Sequence, residues 1–350
     1  MTQYLSDKLR VLSLISIIFV LYIHSRFQPN EIMGMVYYDK IQLFTSEMIG
    51  RCAVPLFYLI SGYLFFMKVP DGVKSIGRKI RKRIKSLLIP YFIGCVFFVI
   101  FYSFVALLPW TSNFINSSSS IMPLFQKPYS IILISIFYDG GTGYPCAFQL
   151  WFLRDLIIIV ATSPLWYLCL KRMKWAFVVV TFGLTYLQIP HAPFYALFWF
   201  VLGGKLVNAK SLSGGGRSVI VTSVLFLVVS GIQLFMTDVI DWELVKIPVI
   251  LLGIYSAWGL YDMVVGEKFI LSEHRWLVTA CQFTFFIYLF HEPTLNIVRK
   301  LIVVVLGKNE LGYLTSYLLS PWIFTICAVF AGLLFRKYLP RVYDVCTGGR

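Results

Sequence analysis

Charged residues are scarce in this chain of 350 residues. They make up 13% of the sequence, whereas soluble domains carry about a quarter. Hydrophobic residues make up 59% and aromatic residues 17%, and apolar runs recur that are long enough to cross a hydrocarbon core of about 30 Å as helices. The composition excludes an ordinary soluble domain and predicts an all-α, polytopic bundle of membrane helices.

Cysteine and histidine are also few, and neither forms a recognisable pattern. The seven cysteines are scattered, mostly within apolar runs, and the four histidines lack metal-ligand spacing to one another or to carboxylates. We therefore predict no metal site. Lys and Arg outnumber Asp and Glu by 31 to 16, but the basic residues occupy short loops, which argues against nucleic-acid binding.

Ten apolar segments are predicted to cross the membrane, within a single domain of residues 1–350. They lie near residues 9–26, 47–67, 88–109, 150–170, 175–189, 192–208, 218–236, 245–265, 276–298 and 314–335. Basic residues concentrate in alternate loops, which are expected to be cytoplasmic. Both termini are then cytoplasmic, and the predicted loop around Arg299, Lys300 and Lys308 is the exception to the alternation.

Two other segments are predicted to form helices that lie on the membrane surface. Residues 73–88 form an amphipathic helix with cations between its apolar positions. This pattern fits an interfacial helix on anionic lipid, and it fits equally a binding face for an anionic cytoplasmic ligand. The long loop 110–149 contains an apolar stretch at 131–138, for which we predict a short helix on the outer surface.

The first apolar segment has an ionisable residue at each end. Arg10 begins it, and His24 follows 14 residues later, about 21 Å along a helix and near the same face. An Arg or Asp at the centre of a membrane helix costs about 2.5–3.5 kcal/mol, so such groups usually face an interior cavity. We therefore expect His24 to face a cavity in the outer part of the membrane.

Further ionisable residues are predicted at a similar depth. Glu47 and Arg51 are expected to open the second helix, four residues apart and on one face. The others are Arg154, Asp155, His291 and Glu292. Two interpretations stay open: each residue pairs with a neighbour to hold helices together, or the set lines a chamber with histidines for acid–base chemistry and arginines for polar or anionic groups.

Four motifs, in order along the chain, resemble those of the acyltransferase 3 family of membrane O-acyltransferases. The first is the Arg10…His24 pair, here separated by 13 residues where the family has ten, with Ser13 at the strict position. The second is "RCAVPLFYLISGYLFF", which contains Ser61 and Gly62. The others are "RKRIKSLLIPYF" with Arg81 and Arg83, and the pair "LWFLRDL" and "FFIYLFHEP".

This resemblance implies a fold, a reaction and a site. Members typically have ten helices and modify bacterial surface polysaccharides, so the chain is expected in the bacterial cytoplasmic (inner) membrane. Acetyl-CoA or another acyl-CoA would be the donor, and a sugar hydroxyl of a lipid-linked saccharide or polymer would be the acceptor. The expected donor-binding residues are Arg10, Arg81 and Arg83. The expected acceptor-side residues are Glu47, Arg51, Ser61, Arg154 and Asp155.

Histidine suits the catalytic step because a sugar hydroxyl needs a general base that titrates near neutral pH. His24 is the first candidate, and His291 is expected to share the task. Arg51 or Arg154 is the expected donor to the oxyanion. The rival hypothesis from another class is a transporter or flippase for a charged or saccharide substrate, which would also need polar groups inside a helical bundle.

Overall fold

The computed structural model describes residues 1–28, 31–32, 34–67, 73–106, 134–138, 143–187, 192–207, 214–236, 241–266 and 269–349. Regular structure within these ranges is helical throughout, which confirms the predicted all-α class. The helices are α1 (Gln3–His24), α2 (Val36–Gln42), α3 (Ala53–Phe66), α4 (Val73–Ala106), α5 (Trp151–Ala161), α6 (Ser163–Met173), α7 (Trp175–Leu184), α8 (Phe194–Leu206), α9 (Gly216–Phe235), α10 (Trp242–Val264), α11 (Arg275–Gln282), α12 (Thr284–Leu306), α13 (Glu310–Tyr338) and α14 (Pro340–Thr347).

Five helical runs within the described ranges are long and apolar enough to cross a membrane. They are Tyr37–Phe66, Ser75–Phe104, Gly216–Phe235, Trp242–Val264 and Glu310–Tyr338. Helices α5 and α6 meet at a 65° bend and count as a sixth if they form one broken span, and α7 and α8 are apolar but shorter. The predicted count of about ten spans is therefore not confirmed, although apolar helices recur throughout the described ranges.

Helices α1 and α12 have the length of a span but carry more charge. Each contains three charged residues within its 22 or 23 positions. Much of this charge is buried in protein: Asp7, Lys8, Glu292 and Arg299 are 1–7% exposed. At the start of α1, Lys8 Nζ lies 2.7 Å from Asp262 Oδ1 and 4.0 Å from the centre of the Trp258 ring. These four ionisable groups thus face the protein interior, whereas Arg10 of α1 is exposed.

Three of the predicted boundaries are wrong. The second helix does not open at Glu47, because α2 continues through a π-helical segment (Leu43–Ile49) and a 3-10 turn (Gly50–Cys52) into α3, which places Glu47 in the middle of the run. The amphipathic segment 73–88 is no separate helix, since α4 continues from it without interruption. Arg299 does not lie in a loop but within α12, where it is buried.

The long loop between α4 and α5 is described only in part. Residues 107–133 and 139–142 lie outside the described residues, and so do the first three residues of the predicted surface helix at 131–138. The remainder, 134–138, packs on α4: the Tyr91 hydroxyl donates to the Ile136 carbonyl, and Ser135 is buried. Ile134, Phe137 and Tyr138 are exposed, so this piece of the loop lies on the surface of the protein and is attached to α4 through Ser135 and Ile136.

Helices α3 and α8 are in close contact because each presents a glycine to the other. A Cβ added to Gly62 would lie 2.0 Å from the Phe200 carbonyl oxygen, and one added to Gly203 would lie 2.0 Å from the Leu59 carbonyl oxygen. Small residues allow this kind of backbone approach between membrane helices. The contact holds α3, which carries Ser61, against the rest of the bundle.

Overpacking typically costs about 1–3 kcal/mol of stability. We expect Gly203→Val to destabilise the protein by about 3 kcal/mol or more. The new side chain meets backbone, which has no alternative rotamer. The measurement is the melting temperature in detergent. Gly231→Val in α9 is the matched control, because nothing lies within 4 Å of a Cβ added there. Equal melting temperatures for the two variants would show that α3 and α8 are not packed in this way.

Candidate functional site

Two histidines from distant parts of the chain meet at one place. His24, the last residue of α1, and His291 in α12 have ring centroids 4.7 Å apart, in an edge-on arrangement. His291 is fully buried, and the side chain of His24 is 19% exposed. His24 Nδ1 lies 3.8 Å from Glu292 Oε1, within ion-pair distance. The structure thus brings together the two residues that the sequence predicts to be catalytic.

The sequence His291-Glu292-Pro293 explains why α12 is interrupted at this point. Proline lacks an amide hydrogen and disfavours helical geometry in the residue before it. Glu292 accordingly has φ −105° and ψ 133°, extended values inside a helix. The interruption places a buried carboxylate beside the histidine pair.

The tautomer of His291 follows from its hydrogen bond. Its Nδ1 lies 2.6 Å from the Tyr288 carbonyl oxygen. A carbonyl only accepts, so Nδ1 carries the hydrogen and Nε2 carries the lone pair. Nε2 is buried and has no hydrogen-bond partner among the described residues. A neutral imidazole with a free, buried lone pair has the form that a general base requires.

A buried arginine, Arg299, lies on the same helix and is 7% exposed. Its guanidinium donates to the Arg26 carbonyl oxygen and, over 2.8 Å, to Asn296 Oδ1, and it lies 4.3 Å from the centre of the Phe27 ring. It interacts electrostatically with both His24 and Glu292. This cation compensates part of the negative charge of Glu292 without a direct ion pair.

Glu47 and Arg51 are engaged with each other, as their spacing predicted. Arg51 Nε lies 2.5 Å from Glu47 Oε2, and Arg26 pairs with the other oxygen of the same carboxylate. The Arg51 side chain is 53% exposed. This group of three is held close to the site because Arg26 follows His24 by two residues and its carbonyl oxygen accepts from Arg299.

Arg154 and Asp155 form a buried pair with each other. Two contacts between the guanidinium and Asp155 Oδ1 measure 2.9 Å. Arg154 also donates to the Gly143 carbonyl oxygen at 2.7 Å and to the Phe137 carbonyl oxygen at 3.3 Å. These bonds attach the loop before α5 to the helix. The pair therefore holds the loop in place. This agrees with the first of the two interpretations above, in which each ionisable residue pairs with a neighbour.

A cavity of about 430 Å³ has Tyr288 in its wall. It is lined by residues of α1, α3, α4, α5, α11 and α12, and both Arg10 and Arg83 belong to its wall. Ser13 and Ser61 supply hydroxyl groups, while aromatic and aliphatic side chains such as Phe57 and Leu156 supply most of the surface. Three residues of the predicted site, Arg10, Ser61 and Arg83, therefore meet in one cavity.

The other cations of segment 74–85 lie elsewhere. Arg81 is exposed and is not part of the cavity wall. Lys79 donates to the Phe65 carbonyl oxygen, which attaches α4 to the end of α3. Arg83 differs from Arg81 because positions i and i+2 of a helix are rotated by about 200° around its axis. The two arginines therefore point to opposite sides of α4.

Tyr288 and Gln149 connect the cavity to the histidine pair. Tyr288 lines the cavity, accepts from His291 through its carbonyl oxygen and donates its hydroxyl to the Gln149 carbonyl oxygen at 3.1 Å. The side-chain amide of Gln149 donates to the Glu292 carbonyl oxygen at 3.4 Å. The neighbouring Phe148 ring lies 5.9 Å from the His24 ring. Tyr288 therefore belongs both to the cavity wall and to the hydrogen bond that orients His291, although neither histidine lines the cavity.

Sequence reasoning did not assign Gln149, Tyr288 or Arg299 to the site. Arg299 had a signal, because seven residues after Glu292 is close to two helical turns and so the same face. Gln149 and Tyr288 had none, since their roles depend on contacts between α12 and the turn before α5. Among the described residues, no group of three or more His, Cys, Asp or Glu residues is arranged to hold a metal ion.

Comparison with known proteins adds two findings. A family model described as "Acyltransferase domain", that of acyltransferase 3, matches residues 7–335. A protein of Rhizobium meliloti (strain 1021) named Succinoglycan biosynthesis protein ExoH is 23% identical over 373 residues, an alignment that covers 100% of this chain and 94% of that protein. No solved structure matches the chain.

Proposed function

Because this chain belongs to the acyltransferase 3 family, we propose that it transfers an acyl group to a hydroxyl of a surface polysaccharide or its lipid-linked precursor. The observation that carries the proposal is the family match, which extends over nearly the whole chain and includes α1, α4 and α12, the helices of the site. The similarity to a succinoglycan biosynthesis protein supports a saccharide acceptor.

The proposed donor is acyl-CoA, with acetyl-CoA as the first candidate. The cavity fits such a donor: its walls are largely apolar, as an acyl group on a slender pantetheine arm requires, and two arginines stand in its wall. Arginine binds phosphate groups through paired hydrogen bonds. Arg10 and Arg83 are therefore the proposed ligands of the CoA phosphates, and Ser13 and Ser61 offer hydrogen bonds to polar atoms of the arm.

In the proposed reaction, the acceptor oxygen attacks the carbonyl carbon of the thioester and the carbon–sulfur bond breaks. The hydroxyl proton passes to His291 Nε2, the ring nitrogen with a free lone pair, and the CoA thiolate leaves. The complementary acid is the proton that His24 shares with the adjacent Glu292 carboxyl group: His24 passes this proton to the developing oxyanion or to the departing sulfur. The geometry thus favours His291 over His24 as the base.

The expected acceptor-side roles of Arg51 and Arg154 change in this proposal. Both guanidinium groups already have partners, Glu47 for one and Asp155 with two carbonyl oxygens for the other. Their proposed task is to hold the outer wall of the site. Arg299 is a cation that interacts electrostatically with both His24 and Glu292.

We further propose an inner-membrane location in which the cavity opens to the cytoplasm and the histidine pair lies toward the outer face. The alternation of basic loops supports this orientation. Reporter fusions after Arg217 and after Arg350 should both score as cytoplasmic. If they score on opposite sides of the membrane, the orientation of α1 and the sidedness of the site must be revised.

The test of the proposed function is mass spectrometry of surface glycans from cells with and without this chain. A mass increase on the glycan in cells that contain the chain is the expected result, and its size identifies the acyl group. A purified chain should reproduce the transfer with the matching acyl-CoA and the de-O-acylated glycan. Identical glycans in the two cell lines, together with no transfer in vitro, would refute the proposal.

A further inference from the structure

Two cysteines from separate parts of the chain are in contact. Cys95 lies in α4 and Cys146 in the loop before α5, and their thiol groups hydrogen-bond to each other. The Cys95 thiol also lies 3.9 Å from the Ile136 carbonyl oxygen. The other five cysteines lie singly in separate elements: Cys52, Cys169, Cys281, Cys327 and Cys346. Cys95 and Cys146 are thus a pair of thiols whose sulfur atoms already face each other.

Backbone contacts hold Cys146 against this part of α4. Its amide donates to the Ser135 carbonyl oxygen at 2.7 Å. The carbonyl oxygen of the next residue, Ile136, accepts from the Tyr91 hydroxyl. Tyr91 and Cys95 are four residues apart and therefore on one face of α4. The position of Cys146 beside Cys95 is therefore supported by the backbone of the loop and does not depend on the thiol contact alone.

The two thiols differ in their access to reagents. Cys95 is 2% exposed, whereas Cys146 is half-buried and follows the exposed Tyr144 by two residues. An oxidant therefore reaches Cys146 first. The sulfur atoms of a disulfide are about 2.05 Å apart, so the two thiols have only to move from hydrogen-bond contact to bonding distance.

The proposed orientation places this pair on the oxidising side of the membrane. The basic start of α4 is then cytoplasmic, and the connection from α4 to α5 is on the outer side. Disulfides form and persist outside the cytoplasm, including in the bacterial periplasm. We propose that Cys95 and Cys146 form a disulfide that fastens the loop before α5 to α4. This inference rests on the proposed orientation and not on the chemistry of acyl transfer.

The bond forms by thiol–disulfide exchange with a protein disulfide of the oxidising compartment. The Cys146 thiolate attacks that disulfide, which gives a mixed disulfide and releases one thiolate of the oxidant. The Cys95 thiolate then attacks the Cys146 sulfur, forms the new bond and releases the second thiolate. The two cysteines lose two electrons and two protons, and the oxidant takes up both and becomes a dithiol.

The cross-link acts on a segment that contacts the histidine pair. Phe148, two residues after Cys146, has its ring 5.9 Å from the His24 ring. The side chain of the next residue, Gln149, donates to the Glu292 carbonyl oxygen at 3.4 Å. Hydrogen bonds and ring contacts alone allow such a segment to open locally. A covalent attachment at Cys146 restricts this opening next to the proposed catalytic residues.

The test counts the free thiols of the full-length chain. Membranes from aerobically grown cells that contain the chain are denatured in the presence of N-ethylmaleimide, and the mass of the purified chain is measured before and after reduction and a second alkylation. We expect five of the seven cysteines to be alkylated before reduction and all seven after it. Peptide mapping of the unreduced sample should give one linked pair, with Cys95 in one peptide and Cys146 in the other.

Two variants make the count specific. Cys146→Ser should have all six of its cysteines alkylated without reduction, because Cys95 has lost its partner. Cys327→Ser is the matched control, since Cys327 is exposed on α13 and lies outside the pair. This variant should have four alkylated cysteines before reduction and six after it.

The melting temperature in detergent tests whether the disulfide fastens the loop. A disulfide stabilises chiefly because it constrains the unfolded chain. Reduction should therefore lower the melting temperature of the wild-type chain and of Cys327→Ser by about 5 °C. It should leave that of Cys146→Ser unchanged, which also serves as the control for effects of the reductant itself.

The outcomes separate this inference from the proposed function. Seven alkylated cysteines before reduction, or a disulfide between other cysteines, would overturn the inference. A Cys95–Cys146 disulfide whose reduction leaves the melting temperature unchanged would contradict its role in fastening the loop. None of these measurements requires acyl transfer. A chain that has the disulfide but no transferase activity therefore contradicts the proposed function alone, and an active chain with seven free thiols contradicts this inference alone.

Discussion

Asparagine in place of His291 should lower the rate of acyl transfer by about 10²- to 10⁴-fold, the usual effect of losing a general base. The change retains a side chain that hydrogen-bonds but cannot accept a proton at neutral pH. His24→Asn should have an effect of similar size, because the acid is lost in place of the base. The double variant should be little worse than either single one, since residues that act as a unit are not additive.

The pH dependence of kcat/KM distinguishes the two roles. An acid and a base that act together give a bell-shaped profile. His291→Asn should remove the limb on the acidic side, where a base loses activity by protonation, and His24→Asn the limb on the basic side. The titratable and charged groups that face the pair are Glu292 and Arg299, and both are retained in these variants.

Wild-type transfer rates in a folded His291→Asn protein would exclude His291 as the base. Folding is checked by expression and by the melting temperature in detergent, with the unsubstituted chain as reference. If His24→Asn alone is inactive and His291→Asn is not, the base is His24, the residue that the sequence pattern favours. The comparison therefore decides between the two histidines whichever way it comes out.

The sequence predicted this histidine pair from each residue's depth in the membrane. His24 follows Arg10 at a spacing that fixes its distance along α1, and His291 lies in a segment whose apolar length can be read directly. Depth could be estimated for each helix separately, but the contact between the two rings could not. It depends on how α1 packs against α12, and no pattern within either helix records that packing.

The number of membrane spans is hard to predict because proline interrupts some helices of this chain and lies within others. Pro293 follows the break at Glu292, as expected from the conformation that proline imposes on the preceding residue. Pro164 lies in the first turn of α6, just after the bend at Thr162. Pro90, Pro248 and Pro321 lie inside helices that run on through them. Tertiary packing decides which of these helices are interrupted, so hydropathy alone gave ten unbroken segments.

The end of α12 is also hard to predict because charged residues lie within the helix. The apolar segment was ended at 298 because Arg299 and Lys300 follow it, which is the right inference for residues in contact with lipid. In the structure α12 continues to Leu306, because the guanidinium of Arg299 finds hydrogen-bond acceptors inside the protein. The same cause explains why Arg154 and Asp155 looked like chamber residues although they hold a loop.

Alanine in place of Arg83 should weaken the binding of CoA by about 10- to 100-fold, the range expected for the loss of charge-assisted hydrogen bonds to phosphate. Arg83 lines the cavity together with Arg10, and the Arg336 guanidinium holds another wall residue, Gln282, at 3.1 Å. The measurement is the affinity of the detergent-solubilised chain for CoA by calorimetry. Arg10→Ala should have a comparable effect, since its guanidinium stands in the same wall.

Arg81→Ala is the matched control for the donor site. It removes the same charge from the same helix two residues away, but the Arg81 side chain is exposed and outside the cavity. A general electrostatic attraction between segment 74–85 and CoA would make both variants weaker to a similar degree and would decrease with added salt. If CoA binds in the cavity, Arg83→Ala lowers the affinity for CoA and Arg81→Ala does not. If neither the wild-type chain nor any variant binds CoA, the donor assignment is refuted, and a transporter of polar substrates, which has no need of CoA, becomes the better explanation of the buried charges.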